Sequence, residues 1–230
     1  HAEDAPMNDS HDPRDVAAVP AQPAELVREY GPFDGDVGGV SFDGRRVWAA
    51  IGPRMLAFDP ASGETERLLE HAADAGTAFD GTHLYQLAEA RIDKIDPATG
   101  AVVHSIPAPG QGRDSGMAWA DGSLWVGEYR ERRIHQVDPQ SGRILRSLDS
   151  NRFVTGVTWV DHQLWHGVWE GEESELRRID PDDGTVLERL SLPEGIFVSG
   201  LECDGADLFY CGGGGSRKVR ALRRPARGGS

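Results

Sequence analysis

The feature that most constrains this chain is a unit that recurs five times. A large residue, a turn built on Asp and a second large residue six positions on define it. The copies run from Phe42 to Trp48, Phe79 to Tyr85, Trp119 to Trp125, Trp159 to Trp165 and Cys203 to Phe209. A second turn follows in each: Asp59-Pro60 to Gly63, Asp96-Pro97 to Gly100, Asp138-Pro139 to Gly142, Asp180-Pro181 to Gly184, and a worn copy from Arg224-Pro225 to Gly228. In every copy a glycine stands three residues before the first large residue: Gly39, Gly76, Gly116, Gly156 and Gly200. A period of about 40 residues with two tight turns is the pattern of propeller blades.

Each unit reads as four strands. A strand of small residues comes first, because innermost strands crowd around an axis and leave no room for bulk. The Asp turn reverses it into a second strand, expected to begin at Trp48, Tyr85, Trp125, Trp165 or Phe209, whose aromatic ring fills the wedge between blades. A third strand precedes each Asp-Pro turn and an outer strand follows it. The fifth unit lacks an outer strand, and the isolated segment Leu26 to Tyr30 supplies it, which closes the ring and removes free edges. The expectation is an all-β, five-bladed β-propeller over residues 24–227, with a flexible amino-terminal tail over 1–23 and a short tail over 228–230.

With 24 basic against 38 acidic residues the formal net charge is −14. Nucleic acid and anionic membrane both require a basic surface, so neither is expected as a partner. No apolar run approaches the ~20 residues of a membrane helix. The polar, acidic stretch after Met7 is unlike a signal peptide and points to a cytoplasmic protein; a processed amino terminus at His1 would instead point to the periplasm or secretion. Cys203 and Cys211 flank the last Asp turn. With Asp204 paired to Asp207, their side chains fall on opposite faces of the hairpin, so no disulfide is expected.

Chemistry is expected where the units differ, on the loops that enter the innermost strand and those joining second to third strands. Asp74, Arg113 and Arg152 lie on the first set; Glu89, Glu128, Tyr129, Arg130 and Trp169 lie at or beside the second. Aromatics with a few polar groups suit a pocket for a small molecule or short peptide. Tyr129 and Trp169 would wall it, Glu89 or Glu128 would carry protons, and the arginines with Asp74 would hold the ligand. His166 is a further candidate base, set against a packed position between blades. No metal or cofactor is expected, since no histidine or cysteine spacing matches a metal site. Glu202 stands out as a carboxylate on an innermost strand, where a narrow channel would raise its pKa.

The stretch Val157-Thr158-Trp159, Leu164 to Trp169 and Arg178-Ile179-Asp180-Pro181 resembles the fourth blade of the plant- and bacterial-type glutamine cyclotransferases. Asp207 to Tyr210 with Val219 is similar to their closing blade. The likeness covers roughly residues 25 to 225 and implies a five-bladed propeller with its site on the axial loop face. The family's catalytic positions fall on Gly38, Ala75, Gly156 and Thr158, and of its aromatic site only Trp169 matches. The resemblance therefore implies the family's scaffold with chemistry other than glutaminyl cyclisation, or a non-catalytic propeller that binds a ligand or a protein.

Overall fold

The structure, a computed structural model, describes Val16 and residues 18–226. Within these the elements are all strands. β1 (Ala21–Pro23) and β2 (Leu26–Tyr30) precede the first blade. Blade one is β3 (Gly39–Phe42), β4 (Val47–Ala50), β5 (Met55–Phe58) and β6 (Thr65–Leu69). Blade two is β7 (Thr77–Phe79), β8 (Leu84–Ala88), β9 (Arg91–Ile95) and β10 (Val102–Pro107). Blade three is β11 (Asp114–Ala120), β12 (Ser123–Glu128), β13 (Arg133–Val137) and β14 (Ile144–Asp149). Blade four is β15 (Phe153–Val160), β16 (Gln163–Glu170), β17 (Glu173–Ile179) and β18 (Val186–Ser191). Blade five is β19 (Gly200–Cys203), β20 (Leu208–Gly212), β21 (Val219–Arg223) and, as expected, β2, which pairs antiparallel with β21.

At the axis, the five early glycines hold the innermost strands backbone to backbone. A Cβ on Gly76 would sit 2.5 Å from Met117 N, on Gly116 2.5 Å from Val157 N, and on Gly156 2.6 Å from Leu201 N. On Gly200 it would sit 2.7 Å from Gly39 Cα, and on Gly39 it would collide with Ala75 O. Each glycine thus abuts the next blade's innermost strand, and the chain of contacts returns to its start.

The Asp-Pro turns repeat in atomic detail. Gly63, Gly100, Gly142 and Gly184 have φ of 78–80° and donate their N–H to the carbonyls of Asp59, Asp96, Asp138 and Asp180 at 2.7–2.8 Å. Glycine meets that left-handed conformation without steric cost. Gly228 of the worn fifth copy lies outside the described residues.

The two faces of a blade differ. One face presents an aromatic ring to the next blade. Trp48 packs on Leu84 and Ile95, Tyr85 on Leu124 and Val137, Trp125 on Leu164 and Ile179, and Trp165 on Phe209 and Leu222. In blade five the ring in this position is Tyr210, not the expected Phe209: it packs with Val47 and Phe58, and 5.9 Å from the Phe42 ring. The cause is one extra residue in the last Asp turn. Asp204 N–H bonds to Leu208 O, whereas Asp43 and Asp80 bond to Arg46 and His83, three positions on. The same insertion corrects the cysteine register. Cys203 pairs with Phe209 and Cys211 with Leu201, so both thiols share one face of the hairpin rather than opposite faces. They are nonetheless free and buried, and burial pushes Cys203 up to about 11 and Cys211 up as well.

The expectation of a flexible tail through residue 23 is also corrected. β1 adds to the outer edge of blade four, parallel to β18, and makes it five-stranded. Val16 packs with Trp125, Leu148 and Val186, and Arg189 donates to the carbonyl of Val19 at 2.9 Å. An outermost strand has a free row of backbone groups, so even a segment without hydrophobic periodicity can pair there. Residues 1–15, 17 and 228–230 of the expected tails, together with residue 227 of the expected domain, lie outside the described residues.

The axial ring generates a direct test. Gly116→Val should cost on the order of 3–5 kcal/mol, because backbone atoms of blade four must move. Gly44→Ala, at a turn with φ of 94° and nothing within 4 Å, meets only backbone strain and should cost about 1–2 kcal/mol. Urea denaturation of the two variants measures the difference; similar small losses would refute the ring as the axial constraint.

Candidate functional site

The loop face carries the segments 31–38, 70–76, 108–113, 150–152 and 192–199, with the turns 51–54, 89–90, 129–132, 171–172 and 213–218. Beneath it, on the face of each blade opposite its aromatic ring, runs a polar seam. Its anchor is one residue in the middle of the third strand: Asp93, His135, Arg177 and Arg220 in blades two to five, replaced by Leu56 in blade one. Each anchor is buried and each is paired. Asp93 accepts from Arg91 at 3.0 Å, lies 2.8 Å from His71 Nε2 and accepts from the Ser105 hydroxyl. Arg220 donates to Glu29 at 3.1 Å.

Blade three places Glu128 at the seam. Its carboxylate lies 2.8 Å from His135 Nε2 and 3.4 Å from Arg113, while His135 Nδ1 is 2.6 Å from the Ser147 hydroxyl. Asp114, opposite Glu128 on the neighbouring strand, accepts the N–H groups of Gly110 and Gly112 at 2.7 and 3.1 Å. Burial raises the Asp114 pKa, and the charge of Glu128 raises it further against those backbone donors. Two carboxylates with unequal environments and a histidine beside one of them can move a proton.

Blade four gathers arginines on one carboxylate. Glu175 accepts from Arg152 at 2.9 Å, from Arg177 at 2.9 Å and from Arg189 twice at 2.8 Å. Burial alone would raise its pKa, but the hydrogen bonds of Arg189 and Arg177 hold it down at about 2. For Arg177 burial wins and lowers its pKa, since three cations share one anion. Arg177 also donates to Asn151 at 2.6 Å, and Arg132 bridges Asn151 O and Glu170 with its guanidinium 4.7 Å over the Phe153 ring.

The nine residues expected to form the site fall into separate groups. Glu128 and Arg113 come together, with His135, which is not among the nine, as a partner. Tyr129 stacks on Phe153 at 4.8 Å with Arg130 exposed beside it; burial raises the phenol pKa and the Arg130 charge opposes this. Arg152 is spent on Glu175 and approaches Glu170 at 3.9 Å. Asp74 accepts the N–H of Glu89 at 2.7 Å; both are exposed, and Glu89 pairs with Arg91 at 2.5 Å. His166 is 1% exposed and bonds its own neighbour's carbonyl at Gly167, 3.1 Å away. Burial, then the charge of Arg177, pushes it down to about 3, so it stays neutral and sealed from any surface ligand.

Trp169 meets Phe197 edge-on at 5.2 Å and walls a cleft of about 740 Å³. Glu172, Glu173, Glu175, Arg189, Pro193 and Glu194 are among the other lining residues, and Ala21 of β1 closes one side. The cleft lies toward the outer strands of blade four rather than at the axis. Its outer wall depends on β1, a pairing that residues 18–23 do not announce. The seam anchors, by contrast, carry a legible signal: a charged or imidazole side chain at one fixed position of the repeat.

At the axis, Glu202 accepts from the Thr158 hydroxyl and from Cys203 N–H at 3.0 Å. It is enclosed by protein yet still touched by solvent, and burial pushes its carboxyl up to about 7 against both hydrogen bonds. Among the described residues no cluster of three or more His, Cys, Asp or Glu side chains could hold a metal ion.

These blades define a five-bladed β-propeller with a polar, arginine-rich loop face. The fold is similar to the crystal structure of Myxococcus xanthus glutaminyl cyclase, with a TM-score of 0.74 at 15% identity over 89% of this chain and 97% of that one. It also resembles the WD40 β-propeller domain of Doa1, with a TM-score of 0.55 at 16% identity over 87% and 67% of the two chains. No family model and no curated protein sequence matches this chain.

The Glu202 environment sets a pH dependence. A folded pKa near 7, above the ordinary 4.5, means that the folded state binds the proton more tightly. That stability is fully present below pH 4.5 and is lost as pH rises through 7. Glu202→Gln, which cannot ionise, should therefore gain about 1–2 kcal/mol on the parent chain between pH 5 and 8, a discounted figure because Glu202 keeps some solvent contact. Urea melts of both proteins across that range would show it; parallel pH profiles would refute it.

Proposed function

We propose that this chain is a ligand-binding propeller that takes a small molecule or short peptide on its loop face, in the cleft beside Trp169. The observation that carries this reading is the cleft itself. It offers about 740 Å³, within the volume range of small-ligand sites, with a half-buried indole in its wall and charged groups around it. Binding is favoured over catalysis because the strongest ionisable groups nearby are committed to one another: Glu175 to three arginines, and His166 to a sealed interior.

A second reading, an enzyme, is favoured by one feature. Asp114 keeps a raised pKa next to the Glu128–His135 pair, an arrangement able to donate and accept a proton near the loop face. Such chemistry would differ from glutaminyl cyclisation. Gly38 and Gly156, at two positions where the glutamine cyclotransferases hold polar groups, have no room for a side chain: a Cβ would lie 2.6 Å from Asp74 O and from Leu201 N.

Two outcomes are expected. A metabolite and dipeptide screen by thermal shift should yield a ligand whose stabilisation falls by more than about half in Trp169→Ala. Glutaminyl dipeptides should release no ammonia, because neither position supplies a group that takes the amine proton. A ligand indifferent to Trp169 would refute the cleft, and ammonia release abolished by Asp114→Asn would put the enzyme reading in its place.

A further inference from the structure

From the balance of charge in the Trp169 cleft we infer that its ligand is a small organic cation, an ammonium carried on an apolar chain. The inference rests on the cleft being the binding site and adds the class of ligand. Arg189 is the cationic side chain among the lining residues, and all three of its guanidinium nitrogens are engaged. Two of its nitrogens bond Glu175 at 2.8 Å and the third bonds the carbonyl of Val19 at 2.9 Å. Glu175 is in turn spent on three arginines, so that pair forms a neutralised floor.

The remaining charges are of one sign. Glu172 and Glu194 line the cleft and form no salt bridge among the described residues, while Glu173, also in the lining, lies near enough to Arg189 for their charges to interact. With Arg189 committed to Glu175, the carboxylates around the apolar wall are in excess, and they repel an anion and attract a cation. Trp169 adds a second, independent preference for the same ligand. Its ring is half-buried, held edge-on by Phe197, and forms part of the cleft lining. An indole face attracts a cation through its quadrupole, and does so more strongly where water is displaced. The apolar chain of the ligand would lie along Trp169, Leu192 and Pro193, with its ammonium among the carboxylates.

Putrescine is the probe, with butanediol and succinate as neutral and anionic compounds of the same chain length. Isothermal titration of the full chain at low salt should show saturable binding of one putrescine and none of succinate. The double variant Glu172→Gln/Glu194→Gln should weaken binding about tenfold, and Trp169→Leu should weaken it as well. A control that removes the same charge elsewhere, Glu64→Gln/Glu70→Gln, should stay within about twofold, which separates a site from the general attraction of an acidic protein. No saturable putrescine binding, equal binding of butanediol, or equal losses in the two double variants would overturn the inference. A neutral or anionic compound that binds in a Trp169-dependent way would overturn the cation class while leaving the cleft as the ligand site.

Discussion

The close approach of five innermost strands at the axis is the constraint on which the rest of this structure depends. Backbone meets backbone at Gly39, Gly76, Gly116, Gly156 and Gly200, and any side chain there would strike the next strand. Once these contacts are fixed, each blade must fan outward and leave a widening wedge. The wedge is filled by a large ring at one position of the second strand: Trp48, Tyr85, Trp125, Trp165 and Tyr210. The small residue and the large residue are therefore two halves of one geometric requirement, small at the axis and large at mid-radius. Closure completes it, because β2 pairs with β21 and ties the first strands of the chain to the last.

Behind the aromatic face, each interface also has a polar half. Burying a charged third-strand residue such as Arg177, at 1% exposure, is costly unless partners replace the lost water. Here the partners come from adjacent positions on the same sheet and from the incoming loop: Glu175 and Asn151 for Arg177, or Glu128 and Ser147 for His135. The loops between blades are thus tied to blade interiors through ionic groups. Blade one, with Leu56 and Leu68 in the equivalent places, shows that the fold itself does not demand them.

What was legible in the sequence follows from what repeats. The axial glycines and the large residues of the first turn recur at a fixed offset and an Asp-Pro turn or its worn copy follows each, so five copies over-determine the blades and their order. A single inserted residue in the last Asp turn moved the wedge position off that offset, and with it went the identity of the fifth wedge aromatic and the register of Cys203 and Cys211. The site was harder to read for a physical reason. Tyr129 and Trp169 share an offset in the repeat, yet one stacks on Phe153 and the other opens onto a cleft, because their loop neighbours differ. His135 belongs to no motif in the sequence and acquires meaning only across the β12–β13 hairpin, where Glu128 meets it. β1 carries no periodic signal at all, since its pairing uses backbone groups alone.

The division between repeating and non-repeating positions also explains how a scaffold can persist while its chemistry changes. Positions that touch the next blade answer to packing. Gly156 faces Leu201 N at a distance no side chain permits, so a polar group there would have to be bought with a shift of the axis. Loop residues answer to no such rule, and the fold similarity to a glutaminyl cyclase at 15% identity is a similarity of the first kind. The charge distribution points the same way. In blade four the arginines are drawn inward, with Arg177, Arg189 and Arg152 converging on one buried carboxylate. The exposed rim above them keeps its glutamates, and a chain with a net charge of −14 presents that rim to solvent. The field outside the blade-four rim is thereby set by the carboxylates that the buried arginines do not neutralise.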